Sequence, residues 1–365
     1  YLPALIDGSA PTLVNNILPA WMIVNNDHFA TWNPVTGISY LSNTEDGYAN
    51  YDSTDLSTAA ATHNVNDGST RTIAASKTVN AIRFNGGANH TLNAGTLLTV
   101  ESGGILSNTN SAHGFTGAGQ LTSNSGELNI FVQQNTMTIA SAITGDIALT
   151  KAGSGTLRLN GANTYTGTTY FGQGSSGASS RSGTVELNTT GADGSGTVAI
   201  PADLHIHNTQ VTELQPNQIK STADVYLYGG AVLNLRDAGS LNETLDSLIF
   251  RDAGGDANPR AIVTRGNTQA TSTLNLTGAT AISAVNDNPV STPTISQNVG
   301  QIAFTGPAGT PQFLQVESPV SVNGLSAVGL LLNAGIAQVP AGVDDGGLVK
   351  TGSGLLVMGG TGVTT

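Results

Sequence analysis

Residues 149–169 read LTKAGSGTLRLNGANTYTGTT: a short strand ending in lysine, a Gly-Ser-Gly corner, a strand whose leucines alternate with polar residues, and a second corner. A stretch this rich in glycine either cradles a phosphate or turns the chain. A P-loop needs G-x-x-x-x-G-K-[ST] opening a helix, whereas here Lys151 precedes the glycines and a strand follows. A dinucleotide fingerprint also requires a helix after its glycines. Gly153 and Gly155 therefore read as corner residues that supply positive φ.

The same pattern recurs outward from this point. TVELN (184–188), VLNLR (232–236) and TLNLT (273–277) are near copies of TLRLN (156–160), and AIRFN (81–85), ELNIFV (127–132) and DLHIH (203–207) read alike. In each, aliphatics at i and i+2 share one face and polar residues take the other. The predicted inward set is Leu157, Leu159, Val185, Leu187, Leu233, Leu235, Leu274 and Leu276. No segment holds helical periodicity over three turns. The expectation is all-β: a parallel β-helix (β-solenoid) whose coils of three short strands take roughly 20–25 residues each. That gives about 15 coils and a stack on the order of 75 Å long, with Thr and Asn forming ladders from coil to coil.

Above the coil sits a longer repeat. LTKAGSGTLRLNGA (149–162) returns as LVKTGSGLLVMGGT (348–361), matching Lys151 to Lys350 and Gly153-Ser154-Gly155 to Gly352-Ser353-Gly354. A last coil of this kind exposes an unpaired strand edge, so either the chain continues or another chain covers it. Repeat signatures at 143–200 and 346–365 place residues 76–365 in the stack. Residues 1–75 read as a capping or insertion segment richer in aromatics, holding Trp21, Trp32 and Tyr1, Tyr40, Tyr48 and Tyr51. Within it, STDLSTAAATHNV (53–65) reads as a brief helix or a loop.

Composition narrows the function classes. Of 365 residues 46 are Gly, 10% are charged and 5% aromatic, which suits a thin core extended along an axis. A net charge of −12 leaves no basic footprint for nucleic acid and disfavours anionic membrane surfaces. Without cysteine there is no disulfide, thiolate site or cysteine nucleophile. VGLLLNAGIAQV (328–339) is too short to span a membrane and is broken by glycine. The sequence begins at Tyr1 and reads as a mature or excised portion of something longer.

ITGDIALTKAGSGTLRLNGANTYTGTT (143–169), followed by SGTVELNTTGADGSGTVAI (182–200), resembles the passenger-associated repeat of bacterial autotransporters. ILPAWMIVNNDHFATW (17–32), VNAIRFNGG (79–87) and LTVESGGILSN (98–108) are similar to segments preceding such repeats in very large surface proteins of environmental bacteria. The resemblance covers most of residues 15–200 and extends loosely over 201–365, where the copy at 348–365 lacks the Asn-Thr-Tyr segment. It implies a right-handed parallel β-helix, export to the bacterial cell surface, and a role in display or adhesion. It carries no catalytic constellation, so no functional residue transfers from it.

Two constellations carry chemistry. In ADLHIHN (202–208), Asp203, His205 and His207 project from one strand face at i, i+2 and i+4, a spacing open to zinc or copper. The competing reading is the solvated face of a half-buried strand, and no fourth ligand is identified. β-Helix enzymes that cleave polysaccharides need clustered acids; Asp252 with Asp256 beside Arg251, and Asp344 with Asp345, are the candidates. The same residues are ordinary turn chemistry. Calcium-binding nonapeptides and EF-hand loops are absent. The expectation is an extracellular structural or adhesive protein, without catalytic activity or cofactor, forming a segment or subunit of a surface filament. Its partners would be neighbouring copies or its own continuation through end-to-end strand pairing, and extracellular glycans. The alternative is a polysaccharide-binding or polysaccharide-cleaving β-helix.

Overall fold

The structure, a computed structural model, describes residues 9–43, 47–172, 183–235, 242–252, 261–264, 273–287, 291–319, 321–322, 325–337 and 346–359. Short strands pair in parallel from one coil to the next, and the described residues contain no α-helix. The chain divides into two units, residues 1–167 and 168–365.

In the first unit the stack has three faces. Asn64–Asp67, the second half of Lys77–Phe84, the second half of Leu97–Ser107, Glu127–Val132 and Ala148–Ala152 form the first. Thr72–Ile73, Asn89–Leu92, His113–Thr116, Thr136–Ile139 and Thr156–Leu159 form the second. The first halves of Lys77–Phe84 and Leu97–Ser107 bend away to pair with each other and with Gln120–Ser123, followed by Ala142–Ile143, giving the third. A register shift between Val79 and Ala81 marks the bend. The alternation seen in the sequence fixes which side chains enter: Leu128, Ile130, Val132, Leu157 and Leu159 are all fully buried. Each stacks on its counterpart one coil away, contributing about 2 kcal/mol by removal from water.

The second unit repeats the plan. Its first face runs through Thr169–Phe171, Leu204–Ile206, Asp224–Tyr228, Ser247–Asp252, Thr280–Asn286, Gln312–Glu317 and Leu348–Thr351. Its second runs through Thr184–Leu187, Gln210–Glu213, Val232–Asn234, Ile262–Thr264, Thr294–Ile295, Val328–Leu332 and Leu355–Met358. The third holds Asn242–Leu245, Thr273–Leu276, Gln301–Phe304 and Gly335–Ile336. All eight predicted inward aliphatics are buried. The expected ladders form too: Thr91 and Thr116 hydroxyls lie 3.2 Å apart, Thr164 donates to Thr144 at 3.1 Å, and Asn275 Nδ2 donates to Thr244 at 3.3 Å.

Several expectations are corrected. The coils are fewer and longer than about 15 windings of uniform length: Thr136 pairs with Thr156, but Val232 pairs with Ile262 and Gln312 with Leu348. Longer connections at the corners account for the difference, since loop length there costs the stack little. Of the two readings of residues 53–65, the loop holds: residues 53–63 form turns and lead into the strand Asn64–Asp67. Only Gly153 of the central corner has positive φ, at +85°; Gly155 is required because a Cβ there would sit 2.9 Å from Val132 Cγ1 and 3.0 Å from the Asn135 carbonyl.

Residues 1–75 do more than extend the chain. Ile23–Val24, His28–Asn33 and Gly37–Tyr40 form a small antiparallel sheet. Ile17, Ala20, Phe29 and Leu41 pack with Ala81 and Leu106, which alternate with inward residues and so lie on the outside of the first face. This sheet therefore covers the flank of the stack. The edge of the first coil is covered separately. Asp52 N–H donates to Asn64 O, Asn66 N–H donates to Ser53 O, and Leu56 lies fully buried below, its N–H on Asp67.

Candidate functional site

The Gly-Ser-Gly corner has the wrong polarity for a phosphate. Lys151 is fully buried, and its Nζ donates to the carbonyls of Gly153 (2.5 Å) and Gly155 (2.8 Å). The corner thus offers carbonyl oxygens to an ammonium rather than N–H groups to an anion. Burial pushes the Lys151 ammonium down to about 7. In the second copy Lys350 makes the equivalent bond to Gly352 O at 2.5 Å and is exposed. The signal was in the sequence as a repeated lysine two residues before a repeated glycine; its inward parity assigns it to the corner.

Asp203, His205 and His207 do not converge as a ligand set. His205 lies on the strand Leu204–Ile206, and its ring stacks on Tyr226 at 4.2 Å with Tyr170 on the other side at 4.9 Å. His207 stacks on Tyr228 at 3.9 Å, and His205 Nδ1 lies 3.1 Å from the Tyr228 hydroxyl. Asp203 instead accepts the backbone N–H of Asp224 at 3.0 Å. Burial against these rings lowers both histidines, His207 to about 4 with the neighbouring His205 adding to the effect. The five rings form an outer aromatic ladder over three successive coils, in which His205 and His207 stack face to face on Tyr226 and Tyr228 and Tyr170 is tilted by 42° to His205. Among the described residues no group of three or more His, Asp or Glu is placed to hold a metal.

Of the acidic candidates, Asp256, Asp344 and Asp345 lie outside the described residues. Arg251 directs Nη1 to the Phe250 carbonyl and the Ser283 hydroxyl at 3.0 and 3.2 Å.

Two buried polar pairs were not singled out from the sequence. Glu213 occupies the inward position that Leu187 takes one coil earlier, and neither of its carboxyl oxygens has a hydrogen-bond partner other than the carboxyl of Glu243. Glu243, also fully buried, accepts the N–H groups of Gln218 and Ile219 at 3.0 and 3.2 Å. Desolvation raises both acids, Glu243 to about 8, so the pair holds a proton at neutral pH. In the first unit, His90 and His113 pack against Phe84, each with ring centroids 5.0 Å from it, and both imidazole nitrogens of His90 lack a partner. Desolvation lowers His90 to about 4. Strand parity locates Glu213 inside, because QVTE places it on the side of Val211; the rings of His90 and His113 meet only through coil register.

Residues 149–175 match the passenger-associated-transport-repeat family. No curated protein and no solved structure matches the chain. The match falls on the strand, lysine corner and Leu-x-Leu strand described above: this is a parallel β-helix protein in which residues 149–175 match a passenger-associated-transport-repeat.

Proposed function

We propose that the chain is a surface-displayed, non-catalytic stretch of an autotransporter passenger, acting in the extracellular space as a stiff scaffold or adhesive stalk. The observation that carries this reading is the repeat match on a coil whose aliphatic column is dry and whose backbone bonds run from coil to coil. Such a stack resists bending because each coil is bonded to the next along its length.

Among the described residues, the last strands of the stack offer an edge on which further parallel strands could pair. Leu348–Thr351 and Leu355–Met358 end their faces, and Leu348, Leu355 and Met358 are 39%, 50% and 48% exposed. In the first copy Leu149 and Leu159, the counterparts of Leu348 and Met358, are fully buried, while Leu355 stands where that copy has the outward-facing Thr156. Asp52 and Ser53 already occupy the edge of the first coil, so a second copy has no equally free strand to offer there. This disfavours a filament of identical subunits stacked head to tail. Surface display is tested by labelling intact bacteria that express the full gene product: signal without permeabilisation is expected, and signal only after lysis overturns the reading. Sedimentation of this stretch at rising concentration tests the absence of such stacking: a monomer is expected, and head-to-tail polymers would overturn it.

A further inference from the structure

The second face of the 168–365 unit carries a groove of about 390 Å³ that the scaffold role leaves unused. Its floor is built from the outward side chains of three consecutive strands, Ile262–Thr264, Thr294–Ile295 and Val328–Leu332. The alternating neighbours Val263, Ile295 and Leu332 point inward and are buried. A 3-10 turn, Gln297–Val299, rises as one wall, held by the Ser296 side chain accepting from Asn298 N–H.

Coil register sorts the outward residues into two parallel tracks. Ile262, Thr294 and Leu331 form one, in direct register from strand to strand, with Val357 beyond Leu331. Thr264, Ser296 and Asn333 form the other, each two positions along its strand from the first track; Asn234 pairs with Thr264 and continues the track backward. Successive rungs are about 4.8 Å apart. The result is a mostly apolar stripe beside a stripe of hydroxyls and amides, both running along the direction of stacking.

The polar groups are uncommitted. The side chains of Thr264, Gln297, Asn298 and Asn333 make no hydrogen bond to the described residues, while Asn234 Oδ1 is buried without a partner. Among the described residues that line the groove, none is ionisable. The backbone groups of these strands are spent on the coil-to-coil ladder, so the face cannot add a peptide strand. A ligand that uses both tracks is an extended chain with repeated hydroxyls on one side and C–H surface on the other, and the net charge of −12 favours an uncharged one.

We infer that this groove binds a neutral linear glycan, its sugar hydroxyls on Thr264, Ser296, Gln297, Asn298 and Asn333 and its C–H faces on Ile262 and Leu331. An acidic glycan would meet no cation among the described lining residues and would face a chain of net charge −12. The inference does not rest on the passenger reading: a scaffold without this groove would still display, and a glycan-binding stack need not be an adhesin.

The test is affinity electrophoresis and calorimetry of the whole chain with cellohexaose, mannohexaose and polygalacturonate. At least one neutral oligosaccharide should bind. Gln297→Ala/Asn333→Ala should weaken that binding by about tenfold or more while leaving the thermal unfolding midpoint in place. Thr264→Trp, which fills the floor, should abolish it. Absence of binding to both neutral probes, equal binding by the double variant, or preference for polygalacturonate would each overturn the assignment.

Discussion

At the residue scale, the most consequential side chain is Glu213, an acid in a column of leucines. Because its partner is a second buried acid, one proton stands in for a counter-ion, and the site is held together only while that proton stays. Glu213→Leu restores the residue type found at Leu187 and removes the buried acid. It should raise stability, by about 1–4 kcal/mol in chemical denaturation at pH 8, and flatten the local pH dependence. A less stable variant would show that the carboxyl pair is net favourable. Gly153 makes the opposite case. Its φ of +85° and a would-be Cβ 2.4 Å from the Val132 carbonyl leave no room for a side chain. Gly153→Ala should cost about 1–3 kcal/mol, read as a lowered denaturant midpoint.

Strand elements show how one face does two jobs. The strand Leu97–Ser107 sends Ile105 inward and Leu106 outward, so the same residues build the core and the seat for the antiparallel sheet. Gly104 makes that seat possible: a Cβ there would lie 2.7 Å from Ala20 and 2.8 Å from Phe29. The contact is completed by Arg83, whose Nη2 reaches Asp27 at 2.5 Å and whose Nε reaches the Asp27 carbonyl at 2.7 Å. Gly104→Val should lift this sheet off the flank, costing about 1–3 kcal/mol. Limited proteolysis should then cut within residues 15–41 first, leaving the coils after Asn64 intact.

For the whole molecule, two of the most deeply buried sites, His90 in the first unit and the Glu213–Glu243 pair in the second, have opposite pH behaviour. His90 is held neutral, with its pKa lowered to about 4. Its contribution is complete above the unfolded value near 6.5 and is lost as pH falls toward 4. The Glu213–Glu243 pair is held protonated, so its contribution is complete below the unfolded value near 4.5 and is lost as pH rises through about 8. Hydrogen exchange corrected for intrinsic rate should therefore open Asn89–Leu92 and His113–Thr116 near pH 5. Near pH 9 it should open Gln210–Glu213 and Asn242–Leu245. Uniform opening at either pH would contradict this division.

Local pattern alone determined the parallel coil. Period-two alternation in TLRLN and its copies named Leu157, Leu159, Leu274 and Leu276 as core, and the Gly-Ser-Gly corner excluded a phosphate loop, because both depend only on neighbours in the chain. Tertiary structure decided what depends on register between coils. It set His205 against Tyr226, joined Glu213 to Glu243, laid the first aromatic segment on the flank, and aligned Thr264, Ser296 and Asn333 into one track. The physical reason is that corner loops vary freely in length, so which residues become vertical neighbours is fixed only when backbone hydrogen bonding closes each coil onto the next.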